Sequence, residues 1–221
     1  MASPELLALA ANLPALEAEK LRRSRNKISG YYPEAGPLRR GLYPQHLEFF
    51  RCTREHNESA IIAGNRCGKT LAGAYATTCH LTGQYPDWWP GKRFPGPIRA
   101  WAVGNTGETT RDVLQYELLG DHVAIGSGMI PGDLIVSTSP KPGLPNAVGS
   151  VWVRHAAGGT SLLQFKAYDQ GREKFQGTAQ HWVWLDEECP LDVYTECLAR
   201  TMTTDGNVAL TFTPLKGLSP L

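Results

Sequence analysis

Two stretches of this chain carry residue types suited to phosphate chemistry. The first is Ala63-Gly64-Asn65-Arg66-Cys67-Gly68-Lys69-Thr70. Gly68 and the small residues before it let backbone N–H groups curl around an anion. A helix starting near Lys69 would point its positive end at the same spot. Lys69 would neutralise the β- and γ-phosphates of ATP, and the Thr70 hydroxyl would ligate Mg²⁺. Ala63 stands where the usual G-x-x-x-x-G-K-[ST] pattern has its first glycine, a place a small residue at negative φ can fill. The second stretch is Val183-Trp184-Leu185-Asp186-Glu187-Glu188. An apolar strand that ends in Asp186 suits a second magnesium contact. Glu187 would then hold and deprotonate the attacking water, with Glu188 the next carboxylate in line.

Two further groups could serve the same ligand. Tyr43 can stack on a base, and Gln45 presents both a donor and an acceptor to the edge of adenine. The plainer reading of this stretch is a helix start with Pro44 in its first turn, and both readings can hold together. Thr211 and Thr213 end an apolar run, where hydroxyls beside a nucleotide can sense the γ-phosphate. Their plainer reading is a strand leaving the sheet.

The elements needed to position these groups are legible in the pattern. Ala60 to Ala63 reads as a buried strand and Leu71 to Ala76 as the start of a helix, the context that makes a phosphate loop believable. A chance Gly-Lys-Thr at a strand-to-helix turn is the bland alternative. Ile98 to Val103 predicts a second strand and Thr106 to Leu119 a helix. Residues 150–155 and 162–167 flank a Gly-Gly turn as a β-hairpin. Residues 168–177 read as a polar loop or short helix, 181–188 as a strand ending in acids, 190–204 as a helix and 207–212 as a last strand. Residues 4 to about 28 read as one or two helices broken at Pro14, Gly30 to Gly41 as a linker, and Gly120 to Gly149 as irregular. The adjacent Trp88 and Trp89 read as cover for a core edge, with stacking on nucleic-acid bases as the alternative.

Composition sets the outer limits. At 221 residues the chain suits one domain with room for a small appendage. With 22 basic and 21 acidic residues the net charge names no partner. Between Lys20 and Arg40, however, basic residues outnumber the single acid, Glu34. That stretch is either a solvated helix face or a contact for a polyanion or an acidic neighbour. Five cysteines without a C-x-x-C pair read as reduced thiols in a cytosolic protein, and zinc-finger spacing is missing. Leu6 to Leu16 lacks a basic flank and carries Pro14, which excludes a signal peptide or membrane span there.

Taken in order, four blocks resemble the ATPase domain of the large terminase subunit of tailed double-stranded DNA bacteriophages. They are Leu42-Tyr43-Pro44-Gln45, the loop 63–70, the strand 183–188, and Leu210-Thr211-Phe212-Thr213-Pro214-Leu215-Lys216-Gly217. Residues 85–89 and 175–178 also look like this family. The resemblance spans roughly residues 42 to 218. It implies a P-loop NTPase of the ASCE type: a mainly parallel sheet flanked by helices, here with a β-hairpin addition. It implies ATP and Mg²⁺ as cofactors. It gives Gly64, Asn65, Cys67, Gly68, Lys69 and Thr70 to the nucleotide, Asp186 and Thr70 to the metal, and Glu187 to the base's role. Gln45 and Tyr43 would read adenine, and Thr211 and Thr213 would couple hydrolysis to movement. Arg66 would respond to the γ-phosphate, against the alternative of charge balance near Asp186 and Glu187. Arg172 is a second candidate for a finger reaching a neighbouring subunit.

The resemblance also implies partners: double-stranded DNA, a portal protein and a small terminase subunit. The ATPase would work in a homo-oligomeric ring in the host cell cytoplasm and be a monomer as an isolated domain. Residues 1–41 would form an N-terminal helical segment and linker, and 42–221 the ATPase domain. The family's C-terminal nuclease domain is expected to be absent from a chain that stops at Leu221. Rival readings are another nucleic-acid motor (a helicase or RecA-like recombinase), a small-molecule kinase, or a nucleotide-binding docking module with little turnover. A GTPase is disfavoured, because Asn26-Lys27 lacks the following Asp and precedes the phosphate loop.

Overall fold

The computed structural model describes residues 4–214. Its centre is a seven-stranded sheet in the order β1-β7-β6-β2-β5-β4-β3. The strands are β1 Glu58–Ile62, β2 Arg99–Gly104, β3 Ile135–Pro140, β4 Val148–Arg154, β5 Thr160–Ala167, β6 Trp182–Asp186 and β7 Asn207–Phe212. From β1 through β7, β6 and β2 to β5 all neighbours run parallel. The hairpin partner β4 and then β3 continue the sheet antiparallel. The helices are α1 Pro4–Ser24, α2 Pro44–Glu55, α3 Lys69–Thr82, α4 Gly107–Thr109, α5 Tyr116–Leu119 and α6 Leu191–Thr201. A π-helical stretch, Thr110–Gln115, joins α4 to α5.

Strand β6 is buried at every position, because it lies mid-sheet with both faces covered. Trp182 and Trp184 enter the core on the α3 side, and Val183 and Leu185 enter the second core, which α6 closes with Val193 and Cys197. Small residues let α3 lie close against this strand. Gly73 is the tightest point: a Cβ there would overlap the Trp184 indole. The helix ends at Gly83, whose left-handed φ of +67° lets its N–H cap the Cys79 carbonyl.

Several expectations change. Strand β1 is a sheet edge with alternating burial, and Ile62 is exposed, so the run 60–63 is only half buried. The stretch 120–149 contains β3 and the start of β4. Its Gly and Pro residues mark the turns and bulged register that bound this edge strand, not a lack of structure. Helix α1 runs unbroken through Pro14, on an exposed stretch where water can reach the backbone groups a proline leaves unpaired. Within the segment 30–41, Tyr32 is fully buried against Tyr43, Phe50, Tyr75 and Trp88, so this glycine- and proline-rich stretch packs into the core. Trp89 is likewise buried on Phe50 and Tyr75, as cover for a core edge. Leu215, Lys216 and Gly217 of the last sequence block lie outside the described residues.

Candidate functional site

Strands β1, β7 and β6 lie side by side and parallel, so their C-terminal ends share one edge of the sheet. The register sets Thr211 of β7 opposite both Ile61 of β1 and Asp186 of β6. The phosphate loop therefore leaves the sheet beside the strand end that delivers the acids. Two residues of the loop take left-handed backbone, Arg66 at φ +64° and Gly68 at φ +79°. For an arginine this conformation is uncommon and is held by the surrounding turn.

Lys69 is buried, and its Nζ donates to the Gly64 carbonyl at 2.7 Å, folding the cation back across the loop. Beside it, Thr70 Oγ1 donates to Asp186 Oδ1 at 3.2 Å. Thr211 Oγ1 donates to the same oxygen at 2.6 Å. The Trp184 Nε1–H donates to Thr211 Oγ1 at 2.7 Å, which leaves the hydroxyl's own proton for Asp186. Burial pushes the Asp186 carboxyl up to about 6, although the Thr211 hydrogen bond pulls the other way. A buried carboxylate beside a hydroxyl is the oxygen-only donor set that a hard divalent cation takes, with phosphate oxygens and water completing its shell. The site therefore fits Mg²⁺ held by Thr70 and Asp186.

Glu187 follows in a different environment. It is exposed, and its backbone sits at φ +66°. Its N–H donates to the Thr211 carbonyl at 2.9 Å, and the buried Tyr168 hydroxyl donates to the preceding Asp186 carbonyl at 3.0 Å. These bonds hold a conformation that costs about 1–3 kcal/mol in isolation. At the end of β7, Thr213 Oγ1 donates to Asn65 Oδ1 at 3.0 Å, tying that strand end to the loop.

On the other side of the loop a cavity of about 580 Å³ opens, lined among others by Tyr43, Gln45, Arg66, Cys67 and Gly68. The two adenine candidates and the loop arginine thus share one space. Gln45 is exposed, and Tyr43 is half-buried and stacked on His46 with ring centroids 5.3 Å apart. The exposed Arg66 guanidinium makes no ion pair with Asp186 or Glu187 among the described residues. Arg172 does not join this group. Its Nη2 lies 3.0 Å from the buried Glu196 carboxylate, which Arg200 also holds at 3.0 Å.

A phosphate loop separated by one strand from an acid-tipped strand is the arrangement of ASCE-class P-loop folds. Residues 60–221 match the family model described as terminase large subunit, T4likevirus-type, N-terminal. The chain belongs to the large terminase family. It is 35% identical over 227 residues to the large terminase subunit of Salmonella phage P22, a match covering 94% of this chain and 44% of that relative. The chain thus spans less than half the length of that terminase. The ATPase domain of the Thermus phage P74-26 large terminase, in a mutant form, superposes with a TM-score of 0.54 at 17% identity, covering 79% of this chain and 66% of that one. That likeness concerns the fold.

Within this terminase fold, four residues bear on the site that sequence motifs did not single out. Trp184 and Tyr168 hold the acid strand end, Gly73 admits the Trp184 ring, and His46 lies under the phosphate loop. Trp184 was in plain view within the acid motif. The other three carry no local signal, because their partners lie far along the chain.

Proposed function

We propose that this chain binds ATP with Mg²⁺ and hydrolyses it as the ATPase domain of a DNA-packaging motor. The observation that carries the reading is the meeting of Thr70 and Asp186 at 3.2 Å, which brings the phosphate loop and the acid strand to one point. Lys69 grips the β- and γ-phosphates, and the backbone N–H groups of residues 64–70 cup them. Thr70 and Asp186 would hold a magnesium ion, which would supply charge neutralisation for the phosphate oxygens. Glu187, exposed beside this point, orients and deprotonates water. Tyr43 and Gln45 receive the adenine. Arg66 turns toward the γ-phosphate, while Arg172 serves a neighbouring subunit only after leaving Glu196. Thr211 and Thr213 touch Asp186 and Asn65, so they register any shift of acid or loop.

At the level of the whole protein, the substrate is double-stranded DNA moved into a procapsid in the host cytoplasm. The partners are a portal protein, a small terminase subunit and further copies of this chain in a ring. Residues 42–221 make up the ATPase domain, and 1–41 are an N-terminal segment docked on it through Tyr32. A docking module that binds nucleotide without turning it over is the competing account, and catalysis separates the two. Phosphate release from ATP–Mg²⁺ by the unaltered chain tests turnover, and Lys69→Ala tests the phosphate-loop assignment. Loss of ATP–Mg²⁺ binding by at least 100-fold is expected, on the scale of a desolvated phosphate contact. Retained tight binding would overturn the phosphate-loop assignment.

A further inference from the structure

We infer that His46 is a positioning residue for the nucleotide, holding the phosphate loop and the base-stacking ring in register from beneath. This deepens the reading above and rests on it. Three contacts meet on one imidazole. Its Nε2 lies 3.0 Å from the Cys67 carbonyl inside the loop. Its Nδ1 lies 2.7 Å from the Tyr32 hydroxyl. Its face carries the Tyr43 ring, nearly parallel at 25°. A backbone carbonyl only accepts, so Nε2 carries the proton and donates to Cys67. Nδ1 then accepts from Tyr32, and the tyrosine fixes the tautomer.

The fit is tight on the loop side as well. Gly68 turns at φ +79° against the Cε1–Nε2 edge of the ring, and a Cβ there would come within 2.9 Å of His46 Cε1. The imidazole therefore sets how low the loop can sit. Tyr32 takes a left-handed φ of +55°, which is an outlier for so bulky a residue. Such backbone persists where the surroundings over-determine it. Here the surroundings are the hydroxyl bond to His46 and edge-on packing against Tyr43, Phe50 and Tyr75. The arm that carries Tyr32 also contributes Leu38 and Leu42 to the cavity wall. His46 thus links three parts of the site: the arm, the stacking ring and the turn that cups phosphate.

The test compares His46→Phe, His46→Gln and Tyr32→Phe in steady-state ATP hydrolysis by the full chain, with thermal melting in parallel. His46→Phe keeps a ring and loses both polar edges. KM for ATP is expected to rise about tenfold while kcat stays within about twofold, on the scale of two buried hydrogen bonds. His46→Gln, which can still donate and accept, should recover most of that rise. Tyr32→Phe should raise KM about threefold, and it decides the matter if His46→Phe does not fold. A role confined to packing would lower the melting temperature and leave KM unchanged, which overturns the inference. A fall in kcat at constant KM would also overturn it. Lys69→Ala run alongside separates the two levels. If it retains nucleotide, the reading of the site fails. If it loses nucleotide while the His46 and Tyr32 variants keep a normal KM, only this inference fails.

Discussion

The two ends of the cleft are held by different physics. At the phosphate end, hydroxyls from the start of α3 and from β7 converge on one buried carboxylate at the end of β6, Thr70 at 3.2 Å and Thr211 at 2.6 Å. At the base end, rings carry the geometry, and Tyr43 lies on His46, which rests on Tyr32. The phosphate end is strained electrically, with an acid kept from water. The base end is strained conformationally, at the left-handed Tyr32. The first end is organised around one buried charge, the second around stacked rings.

The largest effect on this contrast should come from Glu187→Gln. It removes the exposed carboxylate proposed as the base and leaves every buried contact of Asp186 in place. A fall in kcat of at least 100-fold is expected, with ATP affinity within about threefold of the parent. Phosphate release at the normal rate would move the base to Glu188 and undo the division of labour between the two adjacent acids.

Asp186 itself should report the electrical strain. Its folded-state value of about 6 lies above the ordinary 3.8. The folded chain therefore holds a proton that the unfolded chain releases between those values. The associated stability is full below about pH 4 and is lost as pH rises through about 6, a change on the order of 2–3 kcal/mol. Denaturant unfolding in EDTA across this range measures it, and Asp186→Asn should flatten the profile. An unchanged profile in Asp186→Asn would mean that burial does not raise this carboxyl.

Gly73→Ala asks whether the phosphate end also depends on packing. The added methyl meets the Trp184 indole, which orients Thr211 toward Asp186. Overpacking of this kind is expected to cost about 1–3 kcal/mol of stability. A neutral substitution, read by thermal melting, would show that the helix shifts freely and that Trp184 is not held.

Arg66 stands where the two ends meet, in the loop and on the cavity wall. Arg66→Ala should lower kcat about tenfold and move KM by less than threefold, if the guanidinium acts on the γ-phosphate. The opposite split would assign it to binding at the base end.

The same contrast explains what could be read from the sequence. The phosphate end was legible because each of its pieces is local. Gly68-Lys69-Thr70 follows one apolar run and Asp186-Glu187 ends another, and the family resemblance implied that such strands run parallel. Thr211 was singled out as a hydroxyl ending an apolar run, but that its strand lies between the loop strand and the acid strand is seen only in the sheet. The base end was legible only at Tyr43 and Gln45. His46 follows Gln45 directly, yet its meaning depends on Cys67, 21 residues away, and on Tyr32, 14 residues away. A stretch rich in Gly and Pro reads as a linker, and nothing local tells that one tyrosine in it will be buried. The far edge of the sheet was hidden for a related reason. Strand β3 is mostly exposed, so it lacks the apolar alternation that marks a strand.

The most direct test of the central claim is the structure of this chain bound to a non-hydrolysable ATP analogue and Mg²⁺. Lys69 Nζ is expected to leave the Gly64 carbonyl for the phosphates. The metal should lie at roughly 2.1 Å from Thr70 Oγ1, with Asp186 in its coordination sphere, and the base should lie on Tyr43. A nucleotide bound elsewhere, or one bound here with its metal out of reach of Thr70 and Asp186, would contradict the account.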